Sequence, residues 1–234
     1  MSRPAPGVAR RRRERGSINA DEIVNGAFEV AAEVSLDHLS MPMLAKHLGV
    51  GVTSIYWYFR KKDDLLDAMA DRALREYKYT DPSIDAKNWR ESLRKHARTM
   101  RQTFRNDPVL CDLILIRGTY SRGAARNALE KIESPVAALV QAGMSPQDAF
   151  DTYAAIAAHT RGQAVLQRLQ DKMARPPANG DKLIDEMSMP LIAEVSKKGH
   201  RIGAADDINF DFILDSILDR AEGLITDERG DQEG

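Results

Sequence analysis

The stretch Ser40-Met-Pro-Met-Leu-Ala-Lys-His-Leu-Gly-Val-Gly-Val-Thr-Ser-Ile-Tyr-Trp-Tyr-Phe59 decides the fold. Ser40 offers a hydroxyl that caps a helix, and Pro42 fits the first turn, where a missing N–H costs nothing. Leu44, Ala45 and Leu48 recur at the spacing of one helical face. Gly49 permits the turn, Val50 plugs the gap between helices, and a second helix runs from about Val52 to Tyr58. Two short helices around a glycine turn have helix-turn-helix spacing, in which the second helix enters the DNA major groove.

Working outward, a helix from about Asn19 to Val34, capped by Ser17 or Asn19, carries Ile23, Ala27, Val30, Ala31 and Val34 on one face. On the other side, a helix from near Lys61 to about Tyr79 has Leu65, Leu66, Met69, Ala73, Leu74 and Tyr77 as its buried stripe. Asp81-Pro82 marks a domain boundary. Helical periodicity continues beyond it. Asn88 to Arg105 shows Trp89, Leu93, Ala97, Met100 and Phe104, and Val109 to Ile116 is a short apolar helix. Arg122 to Ala142 ends at Gly143. Ser145-Pro146 opens a helix that reaches about Met173. Residues 181–198 are expected to form one helix bent at Pro190, and the last helix covers about Ile208 to Ile225.

Residues 18–78 resemble the N-terminal domain of the tetracycline-repressor (TetR) family of regulators. The resemblance rests on Ala27-Phe28, Leu44-Ala45, Leu48-Gly49-Val50 and the run Ile55-Tyr56-Trp57-Tyr58-Phe59-Arg60-Lys61-Lys62-Asp63-Asp64-Leu65-Leu66. Two positions depart from the family pattern. Ser35 stands where glycine is usual, and Ser40 stands where threonine is usual but keeps the capping hydroxyl. The resemblance implies an all-α chain: a three-helix DNA-binding domain joined by a helix to an all-helical part that dimerises and binds a small effector. The stretch Ala142 to Phe150, with Gly162 further on, resembles the C-terminal domain of the tetracycline repressors. The expected organisation is a disordered basic arm (1–16), the helix-turn-helix domain (17–80), the effector-binding and dimerisation domain (81–226) and a frayed acidic tail (227–234).

Composition agrees. The 234 residues are 43% hydrophobic, enough for a core, with a net charge of −1. Residues 1–16 hold six arginines against Glu14, a net +5, which leaves −6 for the rest. One basic arm on an acidic body favours local contact with a polyanion, or is simply a solvated tail. There is no apolar run long enough to span a membrane and no secretory signal. A lone Cys111 excludes internal disulfides and suits a reducing cytoplasm. No catalytic motif is present (no phosphate-binding glycine loop, nucleophile elbow or HExxH), so no enzyme, cofactor or metal is expected.

The expected DNA contacts are Ser40, Val52, Thr53, Ser54, Tyr56, Tyr58 and Lys62, with Arg11, Arg12 and Arg13 from the arm. By resemblance, Thr53, Tyr56 and Lys62 meet phosphates. Val52 suits a thymine methyl. With no Arg, Asn or Gln between Val52 and Tyr58, bidentate base readout from this helix is excluded, which leaves hydroxyls, apolar contacts, the arm or DNA shape. Ile55 and Phe59 belong to the core, Trp57 is assigned to packing, and His47 to solvent. Effector candidates are Trp89, His96, Met100, Phe104, Leu113, Arg117, Tyr120, Tyr153 and His159, each of which ordinary core packing also explains. The small residues Ala154, Ala155, Ala157, Ala158, Gly162 and Ala164 and the amphipathic last helix suit a homodimer interface. Together these point to a cytoplasmic DNA-binding regulator, an effector-released repressor on a pseudo-palindromic operator. The alternative is a ligand-independent DNA-binding scaffold whose second half only dimerises.

Overall fold

The computed structural model describes residues 18–76, 83–119, 121–173, 183–202 and 204–231, the last six as backbone alone. The arm, the Asp81-Pro82 boundary, Tyr77 and Tyr120 lie outside the described residues. Ten α-helices and no strand occur among those described. They are α1 Ala20–Val34, α2 Met41–Leu48, α3 Val52–Tyr58, α4 Lys62–Glu76, α5 Trp89–Asn106, α6 Pro108–Cys111, α7 Arg122–Ala142, α8 Pro146–Lys172, α9 Pro190–Lys197 and α10 Asp207–Asp231.

Local chemistry sets the first boundaries. Asn19 caps α1 through a reciprocal pair with Glu22: its side chain accepts from the Glu22 N–H, and its own N–H donates to the Glu22 carboxylate. That resolves the choice between Ser17 and Asn19. Ser40 caps α2 by accepting from the Met43 N–H, and Gly49 closes it in the left-handed conformation, φ 69°. Gly26 lets α2 lie directly on α1, since a Cβ there would sit 2.6 Å from Leu48 Cδ2. Ile23, Ala27, Leu44, Ile55, Leu65 and Met69 join in one dry core across α1 to α4.

α4 has two allegiances. Its first half buries Leu65, Leu66 and Met69 in that N-terminal core. Further along, Ala73 packs with Met100, Phe104, Leu110, Cys111 and Ala164 of α5, α6 and α8. A third cluster joins α5, α7, α8 and α10 through Leu93, Leu139, Ile156, Phe210 and Leu214. α5 and α10 are also laced by ions. Arg90, Arg94, Arg98, Arg101 and Arg105 meet Asp219 and Glu222, Asp215, Asp211, and Asp207, respectively, the last shared by two arginines.

Three expectations need correction. α6 does not run on to Ile116 as one short α-helix: residues Asp112–Arg117 take the wider π-helical turn and close on Gly118, φ 63°. Residues 181–198 are not one bent helix. α9 starts at Pro190, because proline disfavours helical backbone in the residue before it, and Met189 is held at φ −134°, ψ 55°. α10 begins at Asp207 and continues to Asp231, into residues expected to fray.

Candidate functional site

α3 is only seven residues long and is pinned to the core by Ile55, fully buried, and by Phe59 just after it. At about 100° per residue, Trp57 lies roughly 200° around from Ile55. It is accordingly 79% exposed, not packed as the sequence suggested. Tyr56 is 45% exposed, Thr53 is exposed, and Ser54 is half-buried. Thr53, Tyr56 and Trp57 thus present a hydroxyl and two aromatic side chains outward from one turn-and-a-half of helix. The signal for Trp57 was available in its spacing from Ile55, but aromatic character was given more weight.

The other expected contacts are partly occupied by the protein. The Tyr58 hydroxyl donates to the Ile18 carbonyl at 2.7 Å, and its ring meets Trp57 edge-on with centroids 4.8 Å apart. That bond fixes the chain entering α1 against the reading helix. Lys62 Nζ donates to the carbonyls of Leu36 (3.1 Å) and Asp37 (3.2 Å), which ties α4 to the α1–α2 turn. Ser40 spends its oxygen on the cap, and Val52 packs partly against the core. Arg11, Arg12 and Arg13 lie outside the described residues. His47 does not simply face solvent: its Nε2 lies 2.6 Å from the Glu29 carboxylate. The turn before α2 carries strain. Ser35 adopts φ 71°, ψ 160°, a region that essentially only glycine visits freely.

Behind the reading domain, α4, α5, α7, α8 and the π-helical turn enclose a cavity of about 280 Å³. Leu74, Met100, Phe104, Ile114, Leu129 and Tyr153 line it, with Arg161 among the polar groups. Of the effector candidates, Met100, Phe104 and Tyr153 reach this cavity. His96 stacks behind Tyr153, rings 6.0 Å apart and 19° from parallel, with Nε2 buried and unpartnered. Desolvation there lowers the imidazole pKa to about 4, with Arg161 adding to the shift. Leu113 is instead buried in the N-terminal core. Trp89 packs with the α5–α10 cluster. His159 bonds the Phe210 carbonyl at 3.0 Å and stacks on its ring. Tyr120 lies outside the described residues. The sequence reading missed Leu74, Ile114, Leu129 and Arg161. Arg161 was findable, since it lies eight residues from Tyr153 on the same helix face.

Arg117 joins the two halves. Its guanidinium meets Asp63 (3.1 Å) and Asp67 (2.8 Å) of α4, and the Ser121 N–H donates to Asp71 at 2.8 Å. A second connection is more buried. Asp112, 3% exposed, receives Arg168 of α8 through both carboxylate oxygens at 2.9 and 2.7 Å. Lys172 spans Asp112 (3.1 Å) and Asp37 (2.8 Å), and its hydrogen bond holds the Asp37 carboxyl below the usual range. The end of α8 is thereby bonded to the same α1–α2 turn that Lys62 grips. Among the described residues, no group of three or more His, Cys, Asp or Glu side chains is arranged to hold a metal ion, and no helix is long and apolar enough to cross a membrane.

Two family descriptions match the chain: "Bacterial regulatory proteins, tetR family" over residues 23–69, and "Tetracyclin repressor-like, C-terminal domain" over residues 81–224. The HTH-type transcriptional repressor Rv1353c of Mycobacterium tuberculosis is 54% identical over 221 residues, covering 92% of this chain and 85% of that relative. Among solved structures, a possible TetR family transcriptional regulator from Streptomyces coelicolor superposes with a TM-score of 0.67 at 23% identity, covering 88% of this chain and 99% of that one. The Streptomyces coelicolor protein ActR, in complex with (S)-DNPA, gives a TM-score of 0.63 at 22% identity, covering 89% of this chain and 100% of that one. At such identities the structural likeness speaks for the fold.

Proposed function

Because the chain belongs to the TetR family of DNA-binding transcriptional regulators and is not an enzyme, we propose that it acts as a homodimeric repressor released from its operator when a small apolar or amphipathic effector fills the cavity behind α4. The observation that carries this reading is the double allegiance of α4. Leu74 forms cavity wall, while Leu65, Leu66 and Met69 of the same helix are core of the domain that presents α3. A molecule seated against Leu74 shifts a helix that cannot move without the reading head. Arg117 on Asp63 and Asp67, and Lys131 donating to the Leu74 carbonyl at 3.3 Å, tie the cavity rim to that helix. The effector releases DNA only to the extent that it prefers the displaced arrangement.

Dimerisation is assigned to the outer faces of α8 and α10. Phe150, Leu166, Leu169, Phe212 and Ile213 are exposed there, and an apolar groove runs between the helices past Ala155 and Leu224. Two such pairs of helices make a four-helix interface, and the two-fold axis places two α3 helices over half-sites about one helical turn, or a multiple, apart. Thr53, Tyr56 and Trp57 reach the groove and its phosphates, with the arm as a further phosphate contact.

The test is selection of genomic fragments by the purified full-length protein, followed by footprinting near physiological salt. A protected pseudo-palindrome supports the reading, and molecules made or exported by the neighbouring gene products become effector candidates for displacement. Weak, sequence-indifferent enrichment would sink it, leaving only electrostatic binding.

A further inference from the structure

The cavity is apolar along most of its wall, and Tyr153 and Arg161 of α8 are its polar side chains. Tyr153, Ala157 and Arg161 succeed one another by single turns along α8, and His96 and Met100 do the same on the facing side of α5. Among the described lining residues Arg161 alone carries a charge. It differs from the arginines around it. Every arginine of α5 holds a carboxylate of α10, Arg117 holds two of α4, and Arg168 holds Asp112. Arg161 has no carboxylate within ion-pair distance among the described residues. The Tyr153 ring is buried, yet its hydroxyl finds no hydrogen-bond acceptor among them. Burial keeps that phenol protonated, so it remains a donor. His96, stacked on its other side, is neutral near pH 7 and supplies no counter-charge.

Arg161 and Tyr153 thus bring two donors to the wall of a largely apolar cavity, and among the described residues no acceptor answers them. Such an arrangement fits an anion on a hydrophobic body. A cation would meet Arg161 at close range, and a wholly apolar molecule would leave the Tyr153 hydroxyl without a partner. Resting on the effector-cavity reading, we propose that the ligand is an apolar molecule bearing one acidic oxygen group, a carboxylate or an ionised phenol. The anion sits on Arg161 and accepts from the Tyr153 hydroxyl, and the rings lie between Phe104, Ile114 and Leu129. The volume of about 280 Å³ suits two or three fused rings.

Isothermal titration calorimetry of the full-length protein with 2-naphthoate and its neutral counterpart 2-naphthamide tests this. The acid is expected to bind at least about tenfold more tightly, the worth of one charge-assisted contact. Arg161→Gln should erase that preference while leaving the amide's affinity unchanged, and Arg126→Gln, outside the cavity, should alter neither. Equal binding of acid and amide to the wild-type protein, or a preference that survives Arg161→Gln, overturns the anionic inference and leaves the cavity as an effector site. Binding of neither probe overturns the inference. If both probes bind Ala128→Trp, whose indole would fill the cavity, as well as they bind wild type, they sit elsewhere and the effector-cavity reading fails with the inference. Because Arg161 is exposed, its replacement leaves the core intact; the acid–amide contrast on the wild-type protein holds independently of any variant.

Discussion

The two halves of this protein are held together by different means, and the difference follows their tasks. The α1–α4 half is built on a dry apolar core in which Ile23, Ala27, Leu44, Ile55 and Met69 are fully buried. A reading helix of seven residues cannot keep its shape alone, so rigidity comes from that core and from the Tyr58 bond to Ile18. The α5–α10 half has an apolar cluster of its own but also holds unfilled volume, buries the ring nitrogen of a neutral His96 beside it, and adds a ladder of arginine–carboxylate pairs between α5 and α10. A head that reads DNA must hold one geometry, whereas the proposed effector chamber must tolerate two. Close packing gives the first, and an unfilled cavity permits the second.

The contrast can be broken most directly in the dry half. Leu44→Ala is expected to cost about 4 kcal/mol and to abolish sequence-specific DNA binding, as followed by urea denaturation and gel shift. A loss under about 1 kcal/mol would mean that the N-terminal core is not rigidly packed. The next effect belongs to the α5–α10 half. The unfolded chain protonates His96 near pH 6.5, whereas the folded one resists until about pH 4. The unfolded state therefore binds the extra proton across that window. Stability from this group is complete above pH 6.5 and falls by about 3 kcal/mol as pH drops through it. Burial lowers the pKa of His159 as well, in the same direction. His96→Phe should flatten the slope of unfolding free energy between pH 4 and 6.5, and an unchanged slope would reject this assignment.

Smaller effects test the joints. Asp112→Asn leaves Arg168 and Lys172 without their shared buried anion. Discounted for the partial exposure of both cations, the expected loss is about 2 kcal/mol by urea melts. DNA affinity should weaken too, because Lys172, which ties α8 to the α1–α2 turn through Asp37, loses the second carboxylate that positions it. Ser35→Gly should stabilise by about 1 kcal/mol, since glycine accepts φ 71° without strain and the Ser35–His38 contact it removes is exposed. Destabilisation would mean that the contact outweighs the strain. Least of all, Arg98→Ala should cost about 0.5 kcal/mol at low salt and nothing measurable at 1 M, because both partners of the Asp211 pair are well exposed. A cost that persists in high salt would show that the α5–α10 ladder works by packing rather than by charge.

The reading half was legible residue by residue because its determinants are local. A capping serine, a glycine turn and a face of aliphatic residues specify each helix from within it. Ser35 was less legible: the sequence marked only a departure from the usual glycine, and the structure shows that the turn takes a positive φ all the same. Trp57 was misjudged because ring size favours burial while helix phase forbids it, and only the position of Ile55 settles which rule applies. Pro190 misled for a related reason. A proline within apolar periodicity can bend a helix or begin one, and the residues before it decide.

The sequence by itself determined most of the helices, their order and the helix-turn-helix motif, since periodicity and capping act within a few residues. The tertiary structure alone decided which polar groups meet. Arg117 clamps α4 instead of lining the cavity, Leu113 joined the N-terminal core, Asp112 and Arg168 came together across 56 positions, and Arg161 lines the cavity with no carboxylate in ion-pair reach among the described residues. Those outcomes depend on the packing of helices far apart in the chain, and on where charge can find a partner once apolar surface has been buried.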